Sequence, residues 1–252
     1  MVPVYNKGDH MEKPLLFESA NGIAVITLNR PERRNCFNQQ LLAMLYDAIE
    51  EVTRNDSITV AIITGNGKSF CTGIDLSVLG KEDLFNPRGD GKEYPDIIGA
   101  CHKPVIGAIN GHAITGGFEI ALNCDFLIAS ENAVFGDTHA KVGIHPGWGM
   151  TQLLQQAVGQ RMAKQMSLTC QYIDAGQALR CGLVNEVVPA DRLMPRAMEI
   201  AGQICAVNRD MMMTVKGVIE YRNTATLERA YANERSEFRK WVEKMAEMMK
   251  PK

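Results

Sequence analysis

The chain predicts an α/β fold in which parallel strands are covered by helices, and three observations carry that prediction. Apolar, β-branched runs at 23–28, 59–64 and 104–109 have the length and composition of buried strands. Between the first two, Leu41, Leu42, Leu45, Ile49 and Val52 recur at helical spacing over 38–55. Strands that alternate with amphipathic helices in this way build layers around a parallel sheet. After Gly147 the pattern becomes mainly helical.

The later elements follow in order. A short fourth strand is predicted over 126–129. Helices are predicted over 150–158, 161–169, 175–180, 191–207, 209–222 and 226–249, interrupted by strand character at 183–188. The last helix carries mixed charges around an apolar stripe of Leu227, Ala230, Phe238, Trp241 and Met245. Segment 79–95, which includes Asn86-Pro87-Arg88-Gly89-Asp90-Gly91, has a loop composition and is expected to be mobile over the site. Residues 1–13 are expected to be an extension outside the fold. Their ending, Gly8-Asp9-His10-Met11, reads as an added leader before a start at Met11, and no apolar signal-peptide core precedes it. The expected organisation is therefore an extension at 1–13, a core at 14–190 and a helical region at 191–252.

Composition narrows the function classes. The 252 residues are 46% hydrophobic, enough for a sizeable core, and the net charge of −2 gives no basic field for nucleic acid. No apolar run is long enough to predict a membrane span. Seven scattered cysteines, an odd number without CxxC or Cys/His metal spacing, read as reduced thiols of a cytoplasmic protein. No metal site is predicted.

The chemistry-bearing stretch is Lys103-Pro104-Val105-Ile106-Gly107-Ala108-Ile109-Asn110-Gly111-His112-Ala113-Ile114-Thr115-Gly116-Gly117-Phe118-Glu119. A strand runs into a double glycine, and a lone glutamate follows within one helical turn. Glycines permit close backbone approach, and the new helix offers unpaired N–H groups. Glu119 is thus placed to move a proton beside an oxygen held by those amides. The loop 65–75 follows the strand 59–64 in the same manner. Two backbone donors, one from each loop, can converge on one carbonyl at the carboxyl ends of the strands. Taken alone, Gly116-Gly117 also reads as a tight helix start, and Glu119 as a first-turn acid favoured by the helix dipole.

Beyond that stretch the sequence resembles the crotonase (enoyl-CoA hydratase/isomerase) superfamily. The resemblance rests on an ordered series: Asn29-Arg30-Pro31 with Asn35, 68–75, Lys103-Pro104-Val105 with Asn110-Gly111, Gly116-Gly117-Phe118-Glu119, Asn123-Cys124-Asp125, Phe135-Gly136, Val142-Gly143-Ile144 with Pro146-Gly147, and Gly182-Leu183-Val184. It covers most of 14–190. It implies a spiral of ββα repeats with a C-terminal helical region that forms trimers, often paired into hexamers. It also implies an acyl-CoA thioester whose carbonyl accepts hydrogen bonds from the amides of Ile74 and Gly116. CoA would lie along Lys68, Ser69, Phe70, Cys71 and Thr72, with Arg33 and Arg34 as phosphate partners. Singly, either arginine reads equally well as a solvated surface residue. Trp148 and His145 are candidates for the acyl pocket; core packing and a plain loop position are their alternatives.

The pattern departs from the family at one place. Hydratases of this family carry a second catalytic glutamate shortly after a Phe-Gly pair, and here Phe135-Gly136-Asp137-Thr138-His139 puts histidine there. His139 is a candidate to orient or activate water, since histidine titrates near neutrality; the alternative is a bond within its own loop, to Asp137. Hydration of a 2-enoyl-CoA is the leading expectation, with double-bond isomerisation, or acyl-CoA binding without turnover, as alternatives. The chemistry requires no metal or redox cofactor, and CoA enters as part of the substrate.

Overall fold

The computed structural model describes residues 13–248; the expected extension lies outside them apart from Lys13. The strands are β1 (Leu15–Ala20), β2 (Ile23–Leu28), β3 (Val60–Gly65), β4 (Ser69–Cys71), β5 (Val105–Ile109), β6 (His112–Ile114), β7 (Phe126–Ser130), β8 (Val134–Gly136), β9 (Ile173–Asp174) and β10 (Glu186–Val188). The helices are α1 (Gln39–Arg54), α2 (Tyr94–Gly99), α3 (Gly116–Leu122), α4 (His139–Val142), α5 (Met150–Val158), α6 (Gln160–Thr169), α7 (Ala175–Arg180), α8 (Leu193–Cys205), α9 (Arg209–Tyr221) and α10 (Leu227–Met248).

Two sheets organise the chain. The larger runs β1-β2-β3-β5-β7-β10 and the smaller β4-β6-β8-β9. Among the described residues the β1–β2 and β8–β9 pairs are antiparallel and the other strand pairs parallel. Three successive turns repeat one plan: β3, β4, α2; then β5, β6, α3; then β7, β8, α4. Each turn gives one strand to the large sheet, one short strand to the small sheet, and a helix. This is the spiral of ββα units that the resemblance implied.

The burial pattern explains the composition of the strands. Val60, Ala61, Ile62 and Ile63 are all buried, as expected of a strand covered on both faces. On one face Ile62, Ile106 and Ile128 meet Leu193, Ala197 and Ala201 of α8. Residues four apart on that helix form one stripe, and its alanines let the helix lie close to the sheet. On the other face lies the main core, which includes Leu41, Leu42, Leu45, Ile49 and Val52 of α1. The side chain of Asn38 caps α1 by accepting from the Leu41 amide at 2.9 Å.

Asn35 ties the first turns of the spiral together. It is fully buried. Its side-chain amide donates to the carbonyls of Asn66, Ser69 and Phe70 at 3.0, 2.8 and 3.0 Å, and its carbonyl accepts from the Arg30 amide at 2.8 Å. Its φ of 56° is a left-handed conformation that asparagine tolerates better than most residues. Asn35→Ala leaves buried backbone groups without partners and is expected to cost about 3 kcal/mol, measurable by urea denaturation.

The structure adds to two sequence expectations. The short strands β4 and β6 fall in segments read as loops, and β8 in one given no element, because three residues are too few for a periodic signal. Segment 79–95, expected to be mobile, is strapped to α1. Arg88 bonds both carboxylate oxygens of Glu50 at 2.8 and 3.0 Å and Asp47 at 3.0 Å. The Gln39 amide donates to Glu82 at 2.7 Å, and Leu84 is buried.

Candidate active site

The site forms where the two loops predicted to converge do meet. The extended run at 73–75 pairs with Phe37: the Phe37 amide donates to Gly73 O at 2.8 Å, and the Asp75 amide donates to Phe37 O at 2.9 Å. In an extended chain successive amides face opposite ways. The Ile74 N–H is therefore turned away from Phe37, on the side where Gly116 lies. Gly73 has φ of +86°, and a Cβ there would stand 3.2 Å from the Gly116 nitrogen. A left-handed glycine is thus what allows the two backbones this contact.

Thr115 holds the turn into α3 in an unusual conformation, φ 53° and ψ −119°. A β-branched residue there carries backbone strain. Its hydroxyl contacts that of Thr138, and its amide donates to Gly136 O at 2.9 Å. The turn bearing the Gly116 amide is so locked to the turn bearing His139.

Glu119 lies in the first turn of α3 and is 3% exposed. Its two carboxylate oxygens have different partners. Oε1 accepts from the amides of Trp148 at 2.8 Å and Met150 at 3.2 Å. Oε2 faces His139 Nε2 at 3.7 Å. Burial pushes the Glu119 carboxyl above its ordinary range; the two amides and the imidazole oppose this, and Asp137 adds to it. One oxygen is fixed by two amides and the other faces the imidazole.

These groups line a cavity of about 140 Å³ with Thr72, Ile74, Leu76, Phe85, Thr115, Gly116, Val142, His145 and Trp148. Trp148 combines both roles considered for it. It is buried, its ring lies 5.8 Å from that of Phe37 and 5.6 Å from that of Tyr94, and it walls the cavity. His145 is exposed at the rim, with Nδ1 2.7 Å from Pro146 O.

The rest of the candidate set lies along one edge. Arg33, Arg34 and Lys68 are exposed. The Thr72 amide donates to Arg34 O at 3.2 Å, which brings the arginine turn against the 68–72 strand. Ser69, Phe70 and Cys71 are buried in β4, so only their backbone is available to a ligand at that edge. Among the described residues no cluster of three or more His, Cys, Asp or Glu is placed to hold a metal ion.

A family model described as enoyl-CoA hydratase/isomerase matches residues 18–250. The chain belongs to the enoyl-CoA hydratase/isomerase family. It is 40% identical to a probable peroxisomal enoyl-CoA hydratase 1 of Arabidopsis thaliana, over 80% of this chain and 76% of that one. It is 38% identical to a short-chain-enoyl-CoA hydratase of Clostridium acetobutylicum, over 84% and 87%. A crystal structure of enoyl-CoA hydratase from Bacillus anthracis matches with a TM-score of 0.83 and 31% identity over 90% of each chain.

Within this family member, three features of the site were missed by sequence reasoning as site components. The Trp148 and Met150 amides are backbone groups that any sequence would carry, and no residue type signals them. The Thr115 strain gives no signal because the residue is not glycine. The sequence offers Asp137 only as a local partner of His139. Its one available clue was its place two residues before the histidine.

Proposed function

We propose that this enzyme adds water across the double bond of a short 2-enoyl-CoA. The observation that carries this reading is the pairing of Glu119 Oε2 with His139 Nε2 at 3.7 Å beside the Ile74 and Gly116 amides. Syn hydration needs one group to take a proton from water and one to deliver a proton to Cα. The two amides polarise the thioester carbonyl and hold the enolate oxygen that develops; one such donor is typically worth ~10²–10³ in rate. Glu119, kept toward its neutral form by burial, delivers the proton at Cα. His139 faces the same space and receives the proton of the attacking water.

The arginine turn and Lys68 supply the charge that CoA phosphates require, and the adenine is held by backbone along 68–72. The cavity size, closed by Trp148, suits a short acyl group. No cofactor beyond the CoA of the substrate enters this scheme. Ile219, Tyr231 and Phe238 are 68%, 57% and 62% exposed on α9 and α10, which supports a homotrimer, or a hexamer of two trimers, that covers them. No described helix is long and apolar enough to cross a membrane. All seven cysteines are free thiols, which supports a cytoplasmic setting.

The test is turnover of crotonyl-CoA, followed by loss of the enoyl-thioester absorbance and identification of 3-hydroxybutyryl-CoA. Conversion of a 3-enoyl-CoA to the 2-enoyl isomer without hydration would favour the isomerase reading. Tight acyl-CoA binding with neither reaction would leave a binding protein.

A further inference from the structure

We propose that Asp137 is a positioning residue for hydration, holding His139 in the one tautomer and orientation that leaves Nε2 bare toward Glu119. This rests on the hydratase reading above. Asp137 is 2% exposed, and its Oδ1 lies 2.7 Å from His139 Nδ1 while also accepting the His139 backbone amide at 3.1 Å. An ionised carboxylate only accepts, so Nδ1 carries the hydrogen and Nε2 is left as the acceptor. Burial works against the Asp137 charge, but bonds from the His139 side chain and amide and from the Ser167 side chain outweigh it and hold the carboxyl below its ordinary range. The carboxylate is thereby held as the fixed acceptor behind Nδ1.

The geometry forms a line of three groups. Asp137 anchors one imidazole nitrogen, and the other points at the free oxygen of a glutamate whose second oxygen is fixed by two amides. At 3.7 Å the His139–Glu119 gap exceeds a direct hydrogen bond, yet one water can touch both groups at the usual ~2.8 Å. In the forward step that water gives a proton to Nε2 as its oxygen bonds Cβ. The Cα–Cβ π electrons move onto the thioester to form the enolate. The enolate then re-forms the carbonyl as Cα takes the Glu119 proton. The imidazolium proton passes through the next water to enter that gap to the emptied Glu119 Oε2, and the enzyme returns to its starting state. The Asp137 carboxylate steadies the imidazolium between these events, as a buried aspartate does behind other catalytic histidines.

This line explains how a histidine can stand where family hydratases carry a glutamate. A free imidazole on a loop would divide between tautomers and rotamers. Here the residue is 5% exposed, bonded on one nitrogen and directed on the other.

Asp137→Asn tests the proposal, because it keeps shape and removes the charge. The expected result is a kcat for crotonyl-CoA at least ~10² lower with KM within about threefold, since the carbonyl site and CoA edge are untouched. In a His139→Ala background the same change is expected to cost less than about threefold, because Asp137 then has nothing to position. Nitrogen-15 spectra of labelled histidine in the free enzyme are expected to show a protonated Nδ1 for His139 in the wild type and a mixed population in Asp137→Asn. A kcat within threefold of wild type, or an equal loss in the His139→Ala background, overturns the proposal. If the wild type fails to hydrate any enoyl-CoA, the functional reading fails. The spectra still decide the positioning claim: a wild-type His139 protonated on Nε2 overturns it.

Discussion

Glu119→Gln is expected to lower kcat for crotonyl-CoA by on the order of 10³-fold while substrate binding stays within a few-fold of wild type. The glutamine oxygen can still accept from the Trp148 and Met150 amides, so the loop should keep its place. What is lost is the exchangeable proton. Steady-state rates with a calorimetric measurement of acyl-CoA affinity check this, and a loss smaller than tenfold would remove Glu119 from the chemistry. The same variant carries a stability signature. Burial raises the folded-state pKa of Glu119 above its unfolded value. Between those two values the native state binds more protons than the unfolded state, so this group's contribution to stability falls as pH rises through that window. Glu119→Gln removes that dependence. Its thermal midpoint is expected to exceed wild type by more at pH 8 than at pH 4.

Gly117→Ala is the second large effect. A Cβ there would stand 2.1 Å from the Cys71 carbonyl oxygen and 2.6 Å from its carbon, backbone atoms that cannot swing aside. The start of α3 and the end of β4 would have to separate, drawing the Gly116 amide away from that of Ile74. The expected loss in kcat/KM is on the order of 10²–10³, as for removal of one oxyanion donor, with a thermal midpoint lowered by several degrees. Gly116→Ala provides the contrast. Its Cβ would meet Phe37 Cε2 at 3.3 Å, a contact that a small shift relieves, so a far smaller loss is expected. Equal behaviour of the two variants would show that the spacing of the two amides does not matter.

How much of this could be read from the chain depended on the range of the interaction. The strand at 23–28 and the helix at 175–180 have the predicted bounds because their signals are local: hydrophobic pattern, turn residues and caps. The double glycine before Glu119 was legible because close backbone approach requires that residue type. Segment 79–95 is a loop beside the cavity, as expected, but its anchor was not legible. Its composition describes a loop, but what holds it is Arg88 reaching Glu50, 38 residues earlier in the chain. Glu119 could be named while its support could not, since the amides that hold it lie 29 and 31 residues away.

The amide of Trp148 fixes the carboxylate, and the ring of the same residue closes the cavity. One turn of backbone thus bears both on the Glu119 carboxyl and on the wall of the cavity. Any remodelling of 147–150 that reshapes the cavity wall also disturbs the amides that hold the Glu119 carboxylate.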